Sequence, residues 1–300
     1  MDLQVIVPTY NNRGELEGCL MALARQDRGG FEVEVCVDGS TDGTLEFLRG
    51  ASFPFPFRVL EHQDRANHGR AAARNLALPH LTAPLVVLLD SDMRAAPDAL
   101  SRHAGLLARR DCVSVGDVIY ENAHENLWAR YLGTRGKNKV RPGAELRPLD
   151  FATANVALRS EHLLAVSGFS TALGGYGGED TELALRLRRD RRVPFVFNAQ
   201  ARALTIEHKT VQQGLDELAR YARGNLRTIR RLHPAAPAPF WIDRLQSNRP
   251  RDRLLRHALN PITDRVVDVL LPRVPFALQR QLLNYKVIRA VFNGYAEEAS

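Results

Sequence analysis

The feature that most constrains this chain is a series of short apolar runs, each ending in a turn that carries polar or acidic residues and leads into a helical pattern. Leu3 to Val7 runs into Pro8-Thr9-Tyr10-Asn11, Phe31, Val33, Val35 and Val37 alternate up to Asp38, and Leu85 to Leu89 ends at Asp90-Ser91-Asp92. Runs this short read as buried strands. Their alternation with helical segments specifies strand-helix units stacked into a mostly parallel sheet. Sheets of that kind bind ligands beyond the carboxyl ends of their strands. Pro8, Tyr10, Asp38, Asp90, Ser91 and Asp92 all fall there, so the pattern that sets the fold also places the candidate site.

Between the strands, Leu16, Cys19, Leu20 and Leu23 form a helix face that Asn11 or Asn12 can cap. Further helices are expected from about Thr44, from Arg70 to Leu78 and from Asp98 to Arg109, with a strand at Arg58 to Glu61. Downstream the pattern gives strands at Val113 to Tyr120, Phe151 to Leu158, Phe195 to Phe197 and Ala203 to Ile206. Helices are expected at Glu161 to Val166, Thr181 to Arg189 and, without interruption, from about Val211 to Leu232. Gly168 to Gly178 is a glycine-rich loop that delivers Glu179-Asp180 to a helix start. Beyond the Pro/Ala linker at His233 to Phe240, Leu254 to Leu271 and Phe276 to Phe292 are Arg-rich amphipathic patterns. The expected division is an α/β unit over residues 1–210 and a helical region over 211–300.

The composition, 45% hydrophobic and 25% charged over 300 residues, excludes a disordered chain. No apolar run approaches the roughly 20 residues that a bilayer-spanning helix needs. Met1-Asp2 runs directly into the first strand with no basic leader, and Cys19, Cys36 and Cys112 sit in apolar runs, the pattern of reduced core thiols. These features predict a cytoplasmic protein. The net charge of +7 suggests a polyanionic partner, but it is unevenly placed. Residues 1–219 hold 26 Lys and Arg against 28 Asp and Glu, whereas residues 220–300 hold 15 against 6. The whole excess lies in the C-terminal region. Three readings follow: basic amphipathic helices on an anionic membrane surface, a helical subdomain packed on the sheet or on a second subunit, and nucleic-acid binding, which is disfavoured because no recognised module appears.

Asp90 and Asp92 flank one serine directly after a buried strand, an arrangement that suits a hard divalent cation sharing carboxylate and phosphate oxygens. A capping turn is the alternative. Asp38-Gly39-Ser40-Thr41-Asp42-Gly43-Thr44 begins like a calcium loop but has Arg49 where a bidentate Glu is required, so that reading fails. It reads instead as a strand-to-helix turn in which Asp38 can also accept a ring N–H from a uracil-like base.

Taken in order, Val7-Pro8-Thr9-Tyr10-Asn11, Asp38 to Thr44, Gly69 through Ala73-Arg74-Asn75, Asp90-Ser91-Asp92 and Gly177-Gly178-Glu179-Asp180-Thr181-Glu182-Leu183 resemble the motifs of family 2 inverting glycosyltransferases with the GT-A fold. The resemblance covers about Leu3 to His208. It implies a Rossmann-like nucleotide-binding sheet flanked by helices, followed here by a C-terminal helical extension. It also implies a nucleoside diphosphate sugar donor, UDP-linked in our reading, a Mn2+ or Mg2+ ion, and displacement with inversion at the anomeric carbon. Carried over by position, Pro8 and Tyr10 line the base pocket, Asp38 bonds the base edge, Arg74 lies near base and phosphates, and Asp90 with Ser91 faces the ribose. Asp92 holds the metal, and His208, just after the last core strand, stands where some members place a third ligand; a structural histidine is the alternative. Asp180 is expected as general base with Glu179 beside it, although acids are also favoured at any helix start. Asn155 and Tyr176 are acceptor candidates, Asn155 being equally readable as a core amide, and Trp128, Tyr131, Arg135, Lys137 and Lys139 mark a segment where acceptor contacts are plausible. The acceptor would be a glycan, a lipid-linked sugar or a small molecule in cell-envelope, polysaccharide or glycolipid synthesis. A nucleotidyltransferase acting on sugar phosphates needs a basic Gly-rich loop that Val7 to Arg13 lacks. A non-catalytic sugar-binding protein is the remaining alternative.

Overall fold

The structure is a computed structural model that describes residues 1–136, 140–237 and 239–297. Lys137 and Lys139 therefore lie outside the described residues. The first half runs β1 (Leu3–Thr9), α1 (Arg13–Leu23), β2 (Phe31–Val37), α2 (Thr44–Gly50), β3 (Phe57–Glu61), α3 (Arg70–Asn75), β4 (Leu85–Leu89), β5 (Arg94–Ala95), α4 (Ala99–Leu107) and β6 (Val113–Tyr120). It continues with α5 (Leu127–Leu132), β7 (Glu145–Leu146), β8 (Asn155–Arg159), α6 (Ser160–Ala165), α7 (Glu179–Arg186) and β9 (Phe195–Thr205). Helices α8 (Val211–Arg223), α9 (Asn225–Leu232), α10 (Ile242–Leu245), α11 (Pro250–Ala258), α12 (Pro261–Leu270) and α13 (Phe276–Ala296) complete it.

The strands form one sheet in the order β3-β2-β1-β4-β8-β6-β9-β5, with β7 paired to β9. Strands β3, β2, β1 and β4 are parallel, while β8 runs antiparallel to both β4 and β6. Apolar side chains cover both faces, as a buried parallel sheet requires. Val5, Val7, Val33, Val35 and Leu89 pack on one side with α1 and α4; Ile6, Cys36, Val86 and Leu88 pack on the other with α3, α6 and α7. The three cysteines are buried free thiols. Because β2 and β4 flank β1 on opposite sides, the chain leaves the sheet in opposite directions there, and the crevice at its carboxyl end is the expected ligand site.

Several boundaries differ from expectation. The expected helix from Val211 breaks at Gly224 (φ −99°, ψ −89°), so α9 departs from α8 at an angle that the apolar pattern does not reveal. The two short strands at 195–206 are one strand, β9, which pairs with β6 through a register shift at Gly116/Asp117. The pattern at 254–271 divides because the Asn260 side chain accepts the N–H groups of Ile262 (2.8 Å) and Thr263 (2.9 Å) and so caps a new helix. Trp128 and Tyr131, read as possible acceptor contacts, are buried against α8 and α13 and belong to the core.

Candidate active site

The turns after β1, β2 and β4 are held to one another by side chains. Asn12 stands at the start of α1 but does not cap it with its side chain. Its Oδ1 instead accepts from Thr9 Oγ1 at 2.5 Å and its Nδ2 donates to Ser91 Oγ at 2.7 Å, linking the β1 turn to Asp90-Ser91-Asp92. Asn11 Oδ1 accepts the Thr41 N–H at 2.7 Å, and Asp42 accepts from the Arg13 N–H at 2.9 Å and from Thr44 Oγ1 at 2.6 Å, which fastens the β2 turn to the β1 turn. Burial pushes the Asp42 carboxyl up, but the bonds from Thr44 and from the Arg13 N–H together outweigh it and hold the carboxyl below its ordinary range. Asp38 is nearly buried, and its two oxygens accept the main-chain N–H groups of His68 (2.8 Å) and Gly69 (2.9 Å). Gly39 (φ 72°) is required beside it, because a Cβ there would lie 2.7 Å from the main chain at Ala66 and Asn67.

Together these turns wall a cleft of about 640 Å³, with Pro8, Tyr10, Asp38 and Asp90 to Asp92 among its lining. Tyr10 is half exposed at the mouth, a free aromatic face. Three cations also line it: Arg70 from α3, Lys209 after β9 and Arg220 from α8. Their charged groups gather around the Tyr176 ring at 5.6, 5.5 and 5.9 Å from its centroid. Sequence reasoning missed this cation cluster, since the three positions are far apart in the chain and each looks like an ordinary surface charge.

Arg74 lines the cleft as well. It is 2% exposed, its Nη2 donates to Asp90 Oδ1 at 2.7 Å, and its Nη1 donates to Glu179 Oε1 at 3.4 Å. The guanidinium lies over the Phe169 ring at 5.1 Å. Arg74 borders the cleft, but its charge is engaged with the two acids it clamps rather than held out toward a nucleotide. Asp90 is correspondingly tied down. Asp92 is not: among the described residues no basic side chain forms an ion pair with it. Crowding by protein at the cleft mouth, then the charge of Asp90, raises its carboxyl to about 6.

Glu179 and Asp180 open α7 beside this clamp. The loop that delivers them passes through Gly177 (φ 74°) and Gly178 (φ 92°), conformations that side-chain-bearing residues rarely adopt. A Cβ on Gly178 would also lie 2.7 Å from the Tyr221 ring and 2.8 Å from Ile229. Asn225 Nδ2 donates to the Gly177 carbonyl at 2.6 Å, and His233 Nε2 lies 3.1 Å from Glu182 Oε1. Helices α8 and α9 therefore hold the acid-bearing loop in place. Asp180 Oδ1 accepts from Thr153 Oγ1 at 2.6 Å. Burial, then the Glu179 charge, pushes its carboxyl up to about 7, against the pull of Arg74.

The structure places two further candidates. Asn155 is a core amide: it is 2% exposed, its Oδ1 lies 3.0 Å from His103 Nε2, and its Nδ2 donates to the carbonyls of Ala201 (3.0 Å) and Asp117 (3.2 Å). A fully bonded amide in the sheet interior is not available to an acceptor. His208 lines the cleft, but its side chain is 72% exposed and its nearest acidic partner is Glu15 at 3.9 Å. Among the described residues no group of three or more His, Cys, Asp or Glu side chains stands together to hold a metal.

Comparison with known proteins fits this geometry. The model of glycosyl transferase family 2 matches residues 4–166. The chain belongs to glycosyltransferase family 2. A second model, described as the N-terminal domain of galactosyltransferase, matches residues 141–209. Among curated relatives, validoxylamine A glucosyltransferase of Streptomyces hygroscopicus subsp. jinggangensis is 28% identical over 273 residues, covering 80% of this chain and 63% of that protein. The glycosyltransferase YfnE of Bacillus subtilis is 25% identical over 240 residues, covering 63% of this chain and 61% of that one. The chain thus spans about three fifths of the length of these relatives. Among solved structures, the mannosyltransferase PcManGT of Pyrobaculum calidifontis, in complex with GDP-Man and Mn2+, superposes with a TM-score of 0.67 at 20% identity over 99% of this chain and 88% of that one. TarS 1–349 of S. aureus in complex with UDP-GlcNAc gives a TM-score of 0.58 at 17% identity over 98% and 91%. The fold is accordingly that of the GT-A glycosyltransferases.

Proposed function

We propose that this glycosyltransferase moves a sugar from a nucleoside diphosphate sugar, UDP-linked, to a hydroxyl of a carbohydrate-bearing acceptor, with inversion at the anomeric carbon. The observation that carries the reading is Asp180: a carboxylate fixed by Thr153, pushed up to about 7, in the first turn of α7 directly after the Tyr176-Gly177 segment that lines two cavities. A base working near neutral pH is most effective with a value in that range. Glu179 is already paired with Arg74, which leaves Asp180 to take the proton.

The nucleobase stacks on Tyr10 beside Pro8, with Asp38, which lines the same cleft, fixing the turn beneath and meeting the base edge. Asp90 and Ser91 border the ribose, and Arg70, Lys209 and Arg220 receive the diphosphate. The residues present fit a Mn2+ or Mg2+ ion, because Asp92 is an unpaired carboxylate next to Asp90 and hard cations take carboxylate and phosphate oxygens together. Asp92 would hold the ion, with His208 in reach of the same mouth, and the ion would neutralise charge growing on the leaving diphosphate. The acceptor enters from the second cavity, of about 780 Å³, whose walls include Tyr176, Asp150, Trp241 and Arg244. Its hydroxyl oxygen bonds to the anomeric carbon from the face opposite the diphosphate as Asp180 accepts the hydroxyl proton and the sugar–phosphate C–O bond breaks. Attack from the opposite face inverts the centre. Cell-envelope, polysaccharide or glycolipid synthesis is the setting in which we place the reaction.

A screen of nucleoside diphosphate sugars with Mn2+ or Mg2+, read as thermal stabilisation and as release of nucleoside diphosphate, tests the reading. Stabilisation by UDP-sugars together with release supports it. Stabilisation by none of the donors with either ion removes it.

A further inference from the structure

Helix α12 is built inside out. A helix packed on a globular body turns its apolar face inward and its charges outward. In α12 an acid turns inward instead: Arg289 Nη1 donates to Asp264 Oδ2 at 2.9 Å and Lys286 Nζ lies 3.3 Å from Asp264 Oδ1, while Asp268, 55% exposed at the edge of the contact, also pairs with Lys286. Val267 is buried, but Ile262, Val266, Val269 and Leu270 are 73%, 51%, 57% and 41% exposed. Their spacing places them on one face of the helix. Leu254 of α11 and Leu278 of α13 are 71% and 54% exposed. Six of the fourteen exposed large apolar side chains among the described residues thus fall between positions 254 and 278, a concentration that marks an interaction surface rather than scattered exposure.

The charges around this surface identify what it meets. Arg253, Arg265, Arg273 and Arg280 are exposed among the aliphatic residues. The acids of the same segment are engaged: Asp252 is buried and takes Arg244, and Asp264 and Asp268 face α13. An apolar stripe rimmed by unopposed arginines is complementary to a surface that is apolar within and anionic at its rim. A two-fold contact with a second copy would set arginines against arginines, since the same patch faces itself. No helix among the described residues is long and apolar enough to cross a membrane.

We propose that α11, α12 and the first turn of α13 form a docking surface for an anionic lipid bilayer. The aliphatic side chains enter the boundary between headgroups and acyl chains, and the arginines meet lipid phosphates. The proposal stands apart from the transferase reading, because none of these residues lines the donor cleft.

The test is co-sedimentation of the full chain with vesicles of phosphatidylglycerol and phosphatidylcholine, against vesicles of phosphatidylcholine alone. Binding to the anionic vesicles at least 10-fold tighter is expected, weakening with salt. The variant Ile262→Ser/Val266→Ser/Val269→Ser should lose at least 10-fold of that binding at an unchanged unfolding midpoint. Arg265→Gln/Arg273→Gln, which leaves the aliphatic stripe intact, should lose about 30-fold, in keeping with about 1 kcal/mol for each cation near an anionic surface. Failure to bind anionic vesicles overturns the proposal, as does equal binding by the parent chain and both variants. A solution dimer that the serine variant converts to monomer also overturns it, by assigning the face to a second copy.

Discussion

The two parts of the basic C-terminal region behave in opposite ways. Helices α8, α9 and α13 turn their apolar residues inward, where Tyr221, Leu226, Ile229 and Val291 form one cluster, and Tyr221 and Ile229 press against Gly178. Helices α11 and α12 turn theirs outward. Both parts are Arg-rich, so charge alone does not distinguish them; the direction of the apolar face does. The inner part also reaches the chemistry. Arg220 lines the donor cleft and Asn225 holds the loop that leads to Glu179 and Asp180. Changes in the inner part should therefore act on transfer, and changes in the outer part should not.

The comparison is broken most severely at the base on which the inner helices act. Asp180→Asn should lower kcat by about 10²–10⁴-fold with donor binding retained, since it removes the proton acceptor and keeps the shape. Single-turnover rates with saturating donor check this, and near-normal transfer would move the role to Glu179. Next in size is Gly178→Ala. It forces a Cβ against Tyr221 and Ile229 at a φ of 92° and should cost about 1–3 kcal/mol in chemical denaturation. It should also reduce transfer by more than the loss of folded protein explains, because the loop that carries Asp180 must shift.

The pH dependence follows from the same pair. The Asp180 carboxyl is raised, so its proton is lost only as pH climbs through about 7, and kcat should rise through that range. For stability the sign is opposite: a carboxyl raised in the folded state contributes fully below its ordinary value of 3.8, and the contribution is lost as pH rises from there through about 7. A kcat limb that stays in the ordinary carboxylate range would contradict this account of burial. The smallest effect is expected in the outer part. Ile262→Ser should change stability by about 0.5 kcal/mol or less and leave transfer to a soluble acceptor unaltered, because its side chain touches solvent.

Much of this was legible in the sequence, and what was not has physical causes. The strand-helix alternation located β1, β2 and β4 and put Asp38, Asp90 and Asp92 at their carboxyl ends, because strand period and turn chemistry are local properties. Bond partners are not local. The sequence puts Arg74 near the cleft, which it lines, but not with the two acids it clamps there, Asp90 and Glu179, the latter 105 positions away in the chain. Asn12 has the look of a helix cap, but its side chain joins Thr9 to Ser91. Asn155 lies on a strand near the site, and the side it faces depends on His103 and the β9 backbone. The break at Gly224 was hidden because a glycine within an otherwise continuous helical pattern is tolerated. In α12 the apolar spacing was visible, but which face meets the protein body is decided by Lys286 and Arg289 on another helix.

The central claim is that the cleft at the ends of β1, β2 and β4 takes a nucleoside diphosphate sugar with a divalent ion at Asp92. Calorimetric titration of the full chain with UDP and UDP-sugars, with and without Mn2+, tests it most directly. The account predicts binding that strengthens at least 10-fold with the ion in the parent chain and is indifferent to the ion in Asp92→Asn. Binding of equal strength with and without the ion in both proteins, or no binding in either, would contradict it.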